Sequence, residues 1–241
     1  MLLSAREIVG AWEQGRRQHP IDRALTVLAC ADPAQGRGAL ASLSLGERDA
    51  RLLAIQRDTF GVAMACFAEC ARCGERLEVE LDAGAIAAGA EGVGEGTLEV
   101  GELVLELRPL DSRDLAAAAA CGTAEEAVKV LARRSVRSAA RAGVAVDAGE
   151  AAEANQDRIA ARLLELDPRA EVLLDLRCPA CGEAIAAPLD VAAFVWSKLS
   201  AAARRILREV HTIASAYGWS EASILALGDA RRLAYLELIL G

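Results

Sequence analysis

Seven cysteines stand at positions 30, 66, 70, 73, 121, 178 and 181, and four of them fall into two copies of one short motif. Cys70-Ala-Arg-Cys73-Gly74 and Cys178-Pro-Ala-Cys181-Gly182 are both C-x-x-C-G turns. Two residues between thiolates let both sulfurs reach one ion at about 2.3 Å. The glycine after the second cysteine supplies the positive φ of a tight turn without a Cβ clash. Two such knuckles complete a tetrahedron of four thiolates. Zinc held that way has no open position for water or substrate. One structural Zn2+ per chain is therefore expected on Cys70, Cys73, Cys178 and Cys181. A redox pair is the other use of a C-x-x-C, but it needs a thioredoxin-like βαβ setting that the sequence does not offer. The odd number of cysteines argues against a disulfide framework, as does an N-terminus with charged residues where an export signal would be apolar. Cys66 is placed to be a spare ligand but reads as an apolar helix residue, as do Cys30 and Cys121.

The elements that must carry these thiols are strands. Residues 76–82 alternate apolar and polar after the first knuckle, 171–177 enter the second, and 183–189 leave it. Strand, knuckle, strand is a zinc-ribbon arrangement, but 104 residues lie between Cys73 and Cys178. A free-standing ribbon has about 15–20 there. The metal would thus clip a large insertion, where a cross-link should restrict the unfolded chain most.

Around the ribbon the reading is helical, and the expected fold class is α+β, mainly α-helical. Four parts are expected: a helical segment 1–62; a split ribbon, 63–82 plus 168–190; an insertion, 83–167; and a helical segment 191–241. In the first part Ser4 caps a helix from Arg6, and Pro20 ends its pattern. A second helix runs over 22–31, Asp32-Pro33 with Gly36 and Gly38 punctuates, and Ser44 starts a helix to about Thr59. The insertion begins with a Gly/Ala-rich loop, 83–96, continues with a hairpin over 98–108 turning near Gly101-Glu102, and is helical over 111–167. Its last helix runs from Ala148 to Leu166. In the C-terminal part Val191, Val195, Leu199, Ala202, Ile206, Val210, Ile213 and Tyr217 form one apolar stripe. The helix that carries them is capped by Asp190 and stopped by Gly218. Trp219 is expected to be buried as a staple on Ile224 behind the Ser220 cap, and a last helix carries Leu233, Leu236 and Ile239.

Composition sets the function classes. Hydrophobic residues make up 54% of the 241 but aromatics only 3%, so the apolar mass is Ala, Leu and Val. No apolar run reaches the roughly 18 residues of a membrane helix. The formal charge is −8, and between Glu75 and Glu126 13 acids face three arginines, which would repel a phosphate backbone. Only two histidines are present, His19 and His211, without a nucleophile motif near either. The glycines at 92, 94 and 96 do not lie between a strand and a helix in the order a dinucleotide site needs. No catalytic residue is expected, and the chain does not read as an enzyme.

Three blocks of sequence, in order, resemble one known family. They are Ser44-Leu-Gly-Glu-Arg-Asp-Ala-Arg-Leu-Leu-Ala54 with Phe60-Gly61 and the first knuckle; the second knuckle with Pro188-Leu-Asp-Val-Ala-Ala-Phe-Val-Trp196; and Leu207-Arg-Glu-Val-His211 through Ala216-Tyr-Gly-Trp-Ser-Glu221 to Ile224-Leu-Ala-Leu227 and Arg231-Arg-Leu-Ala-Tyr-Leu-Glu237. The family is that of T-even-type phage baseplate proteins, found in contractile phage tails and tail-derived contractile injection systems. The resemblance implies a non-enzymatic structural or assembly role in the baseplate, with other baseplate or tail proteins as partners. It also implies a place in the cytoplasm of the producing bacterium or in the tail particle itself. No nucleic acid, membrane or small-molecule substrate is expected. The partner surface is expected at Arg204, Arg205, Arg208, Arg231 and Arg232, because arginine pairs bidentately with carboxylates and desolvates more readily than lysine. The alternative from another class is a zinc-ribbon nucleic-acid or transcription-associated module with Arg204, Arg205 and Arg208 as its contact. The net acidity and the shortage of lysine and aromatics weigh against it.

Overall fold

Local capping chemistry fixes most of the helix starts. The structure, a computed structural model, describes every residue except Ala90, Glu91 and Val93. Helix α1 (Ala5–Gly15) begins in a capping box, with the Glu7 N–H donating to the Ser4 hydroxyl and the Ser4 N–H donating to the Glu7 carboxylate. Pro20 opens a helix instead of only ending one. It is the first residue of α2 (Pro20–Ala31), where a missing N–H costs nothing. The stretch expected only to punctuate holds a short α3 (Arg37–Ala41), and Ser44 caps α4 (Leu45–Phe60). Next come β1 (Ala63–Glu69) and β2 (Arg76–Asp82).

The insertion departs from expectation in three places. The Gly/Ala-rich span contains a short α5 (Ala83–Ala87), because the Asp82 carboxylate accepts from the Ala85 N–H. Part of the expected loop, Ala90, Glu91 and Val93, lies outside the described residues. The hairpin is present as β3 (Gly96–Val100) and β4 (Leu103–Leu107), followed by α6 (Ser112–Ala119) and α7 (Ala124–Ser135). Residues 136–145, expected to be helical, are instead β5 (Val136–Arg141) and β6 (Val144–Ala145). They extend the hairpin to an antiparallel sheet of order β3-β4-β5-β6, in which Ala139 lies opposite Leu105. That pairing buries Val136 and Ala139 against Leu103, Leu105 and Leu107, a gain no local periodicity displays. The expected helix over 148–166 is two, α8 (Ala148–Glu153) and α9 (Gln156–Leu166). The break is at Asn155, whose amide donates to the Ala151 carbonyl.

After a 3-10 turn at Pro168–Ala170 come β7 (Leu173–Arg177), β8 (Ala184–Pro188) and α10 (Val191–Tyr217), then α11 (Glu221–Leu225) and α12 (Asp229–Leu240). The fold is α+β and mainly helical, 56% of it helix. The α10 stripe from Val191 to Ile213 is buried in one core with α1, α2 and α4, including Leu28, Leu52 and Ile55. Tyr217, at the end of the stripe, is exposed.

The insertion has its own core and docks on the start of α4. The Leu45 N–H donates to the Leu110 carbonyl at 3.0 Å, and the buried Asp167 carboxylate accepts from the Gly46 N–H at 2.9 Å. Arg113 reaches the Gly38 carbonyl at 2.7 Å. Within the insertion, Asp114 is fully buried and receives both Arg108 and Arg134. Burial pushes its carboxyl up, but those guanidinium groups and the Asp111 N–H outweigh it and hold the pKa below the usual carboxylate value.

At Gly46 a Cβ would stand 2.0 Å from Asp167 Oδ1, so the docking requires glycine there. Gly46→Ala is expected to destabilise the protein by about 1–3 kcal/mol through this overpacking. Urea unfolding checks this: a midpoint equal to wild type would show that Asp167 moves aside freely.

Candidate metal centre

The two knuckles close the ends of two hairpins. β1 pairs with β2 from Ala63↔Asp82 to Glu69↔Arg76, and β7 pairs with β8 from Leu173↔Pro188 to Arg177↔Ala184. Each turn is built by the same bonds. The Cys70 N–H donates to the Glu75 carbonyl and the Gly74 N–H to the Cys70 carbonyl, while Cys178, Glu183 and Gly182 repeat the pattern at 2.9 Å for both bonds. Gly74 (φ 75) and Gly182 (φ 73) take the left-handed conformation the turn demands.

The hairpins share no strand pairing, yet their tips bring four sulfurs together. All four Sγ atoms lie within 4.8 Å of one another, with Cys70 to Cys181 at 3.7 Å and Cys73 to Cys178 at 3.6 Å. Sulfurs around one tetrahedral zinc at about 2.3 Å stand about 3.8 Å apart, so the cage has the right size. Cys70 and Cys178 are buried, Cys181 is half-buried and Cys73 is exposed. Leu77, Val79, Leu176 and Ile185 pack around them, and Arg72 pairs with Glu183 at 3.0 Å from one knuckle to the other.

The electrostatics suit a cation. The Cys73 N–H points at the Cys70 sulfur and lowers that thiol to about 7. The Glu183 N–H pulls Cys181 down, but desolvation and the three neighbouring sulfurs outweigh it and push that thiol up to about 12. Four thiolates this close need a positive ion between them. The group can hold a metal ion.

No family model, curated protein or solved structure matches the chain. Its chemistry is therefore read from its own residues. Among the described residues, no helix is long and apolar enough to cross a membrane.

The other singled-out residues divide. Cys30 lies on α2 as expected, but Cys66 is on strand β1 opposite Val79, and Cys121 is in the bend between α6 and α7. Period 2, with Met64, Cys66 and Ala68 turned inward, governs 63–69, which an apolar run alone did not distinguish from a helix. His19 caps α2 through Nδ1 and His211 is exposed on α10. Arg204, Arg205, Arg208 and Arg231 are exposed, although Arg205 is paired with Glu209 at 3.0 Å.

Arg232 is a correction. It is 0% exposed, and its guanidinium reaches Glu209 at 3.0 Å, the Leu227 carbonyl at 2.7 Å and Asp229 at 2.6 Å. It is an internal clamp of α12 on α10 and presents nothing to a partner. Trp219 is another. It is 37% exposed and stacks on Tyr217 at 5.2 Å and edge-on to Tyr235 at 4.9 Å instead of being buried as a staple. Leu233, the first apolar residue named on the last helix, is exposed, next to the inward-facing Arg232. The buried Glu209 was missed. Its position beside Val210 on the stripe was the one sign available.

Proposed function

We propose that the four cysteines hold one structural zinc and that the chain is a non-enzymatic structural or assembly protein of a contractile-tail baseplate, phage or injection-system. The observation that carries the first half is the closed four-sulfur cage. Every tetrahedral position has a protein ligand, so the ion would join the two hairpins and leave no site for water or substrate. The baseplate half is supported by the resemblance of the three sequence blocks. The last of these blocks covers the C-terminal part of α10, α11 and most of α12, elements that Arg232 ties together. Its partners would be other baseplate or tail proteins, met in the producing cell or in the particle. Arg204, Arg208 and Arg231 are the exposed guanidinium groups of that unit with no carboxylate paired to them among the described residues.

Deleting the gene in the producing strain is expected to remove functional contractile particles, counted by electron microscopy and by injection activity, and the wild-type gene should restore them. Complementation with Arg204→Glu plus Arg208→Glu should fail, although the purified double variant keeps its zinc and its melting temperature. Normal particles from the deletion strain would overturn the baseplate reading. Normal particles from the double variant alone would move the partner surface off α10.

A further inference from the structure

Two sheet edges face one groove. Hairpin β1–β2 and hairpin β7–β8 are each two-stranded, so every strand has one side without a β partner. A groove of about 680 Å³ lies between β1 and β8, walled by residues 183–188 on one side and by 67–69 with Ala71 and Arg72 on the other. Successive residues of a strand point to opposite faces of its sheet. When all of them border a groove, the strand presents its edge, and with it the unpaired N–H and C=O groups. The β8 edge, Ala184-Ile-Ala-Ala-Pro188, has none of the charges that commonly protect a free edge; only the terminal proline limits it.

The surface beside this edge selects the occupant. On the outer face of β1–β2, Phe67 is 74% exposed, a large aromatic left in water. Glu78 lies directly opposite it and Glu80 one pair further, with Glu69 and Asp82 on the same face and Arg76 as its one cation. Among the described residues Glu69, Glu78 and Glu80 have no ion-pair partner, so four carboxylates face one guanidinium around an apolar anchor. That field repels a phosphate backbone, and it repels a second copy presenting the same face. It attracts a segment carrying lysine or arginine. A free edge asks for extended backbone, and an exposed aromatic asks for apolar side chains.

We propose that the β1/β8 groove is a docking site for an extended, positively charged segment of a partner protein. The segment adds as a strand along β8, rests an apolar side chain on Phe67 and sets its cations against Glu69, Glu78 and Glu80. This surface lies apart from the α10 arginines, and the proposal stands whether or not the partner belongs to a baseplate.

The test uses the zinc-loaded full chain and a fluorescein-labelled nonapeptide of alternating lysine and valine, followed by anisotropy. Binding is expected to be at least tenfold tighter than that of a glutamate–valine peptide and to weaken as salt rises. Methylating alternate backbone nitrogens of the lysine peptide should weaken it at least tenfold, which charge attraction alone would not do. Phe67→Ser, and Glu78→Lys with Glu80→Lys, should each weaken it about tenfold while zinc content and helical circular dichroism stay unchanged. These side chains are exposed, so the folded state tolerates both changes. No binding of the lysine peptide, unchanged affinity in the variants or with the methylated peptide, or tighter binding of single-stranded RNA would overturn the proposal.

Discussion

Cys178→Ser is expected to take the zinc content from one equivalent per chain to almost none and to make the two hairpins sensitive to trypsin at Arg72, Arg76 and Arg177. Cys178 is 2% exposed with its sulfur 3.6 Å from Cys73, so serine replaces a buried ligand at the centre of the cage. Structural zinc contributes about 10–16 kcal/mol of apparent binding free energy near neutral pH, and most of that depends on all four ligands. Isolated two-stranded hairpins are marginal in water. Without the ion their tips should open, and the arginines beside the knuckles become cleavable.

The damage should stop there. The core of α1, α2, α4 and α10 contains none of the four ligands, and the insertion is held on α4 by Gly46–Asp167 and Leu45–Leu110. The metal would clip the 104-residue insertion, yet these tertiary contacts should hold the insertion in place and confine the cleavage to the hairpins. Acid should act like the mutation. Protons compete with a metal for thiolates, so a bound ion should be retained at higher pH and lost as pH falls. Elemental analysis and a timed digest check both statements. Full zinc in Cys178→Ser, or uncut Arg72 and Arg177, would show that the ion sits elsewhere.

Arg232→Ala is expected to lower stability by about 3 kcal/mol, because it removes the buried partner of Glu209 and leaves that buried carboxylate only the solvent-exposed Arg205. For a chain of this size that corresponds to a fall in melting temperature of roughly 10 °C. Arg231→Ala, one residue away but exposed, should stay within about 0.5 kcal/mol of wild type. The contrast is sharp because Arg232 is the fully buried side chain of α12, whose apolar contacts come from the half-buried Tyr235, Leu236 and Ile239. Leu233, Leu238 and Leu240 are all exposed, and the Arg232 bond to Glu209 is the polar tie from α12 to α10, while its bond to the Leu227 carbonyl holds the turn before α12. Pairing Arg232→Met with Glu209→Leu should recover most of the loss, since a buried ion pair is often replaceable by packed apolar groups. Thermal melts and hydrogen exchange along α12 provide the measurement. A melting temperature for Arg232→Ala within about 2 °C of wild type would show that the clamp is dispensable.

What the sequence determined by itself is what closes over a few residues. Ser4, Ser44, Asp190 and Ser220 each accept an N–H two or three residues into their helix, and each start was legible because donor and acceptor are neighbours in the chain. The seven-residue α10 stripe from Val191 to Ile213 and the alternation of β2 were legible for the same reason, since their periods repeat locally. The knuckles announced a shared thiolate site through type and spacing alone.

Tertiary structure decided the pairings with remote partners that no motif announces. β5 is a strand because β4 offers it an edge about 30 residues earlier, against weak local preference. Trp219 is partly in water and packs on Tyr217 and on Tyr235 of α12, partners that lie outside the local capping pattern. Arg232 and Arg231 are the same residue type side by side, one buried and one exposed, and only the place of Glu209 on the neighbouring helix tells them apart. A charge enters the interior where a distant opposite charge and hydrogen-bond partners compensate its lost hydration, and no window of local sequence contains that information.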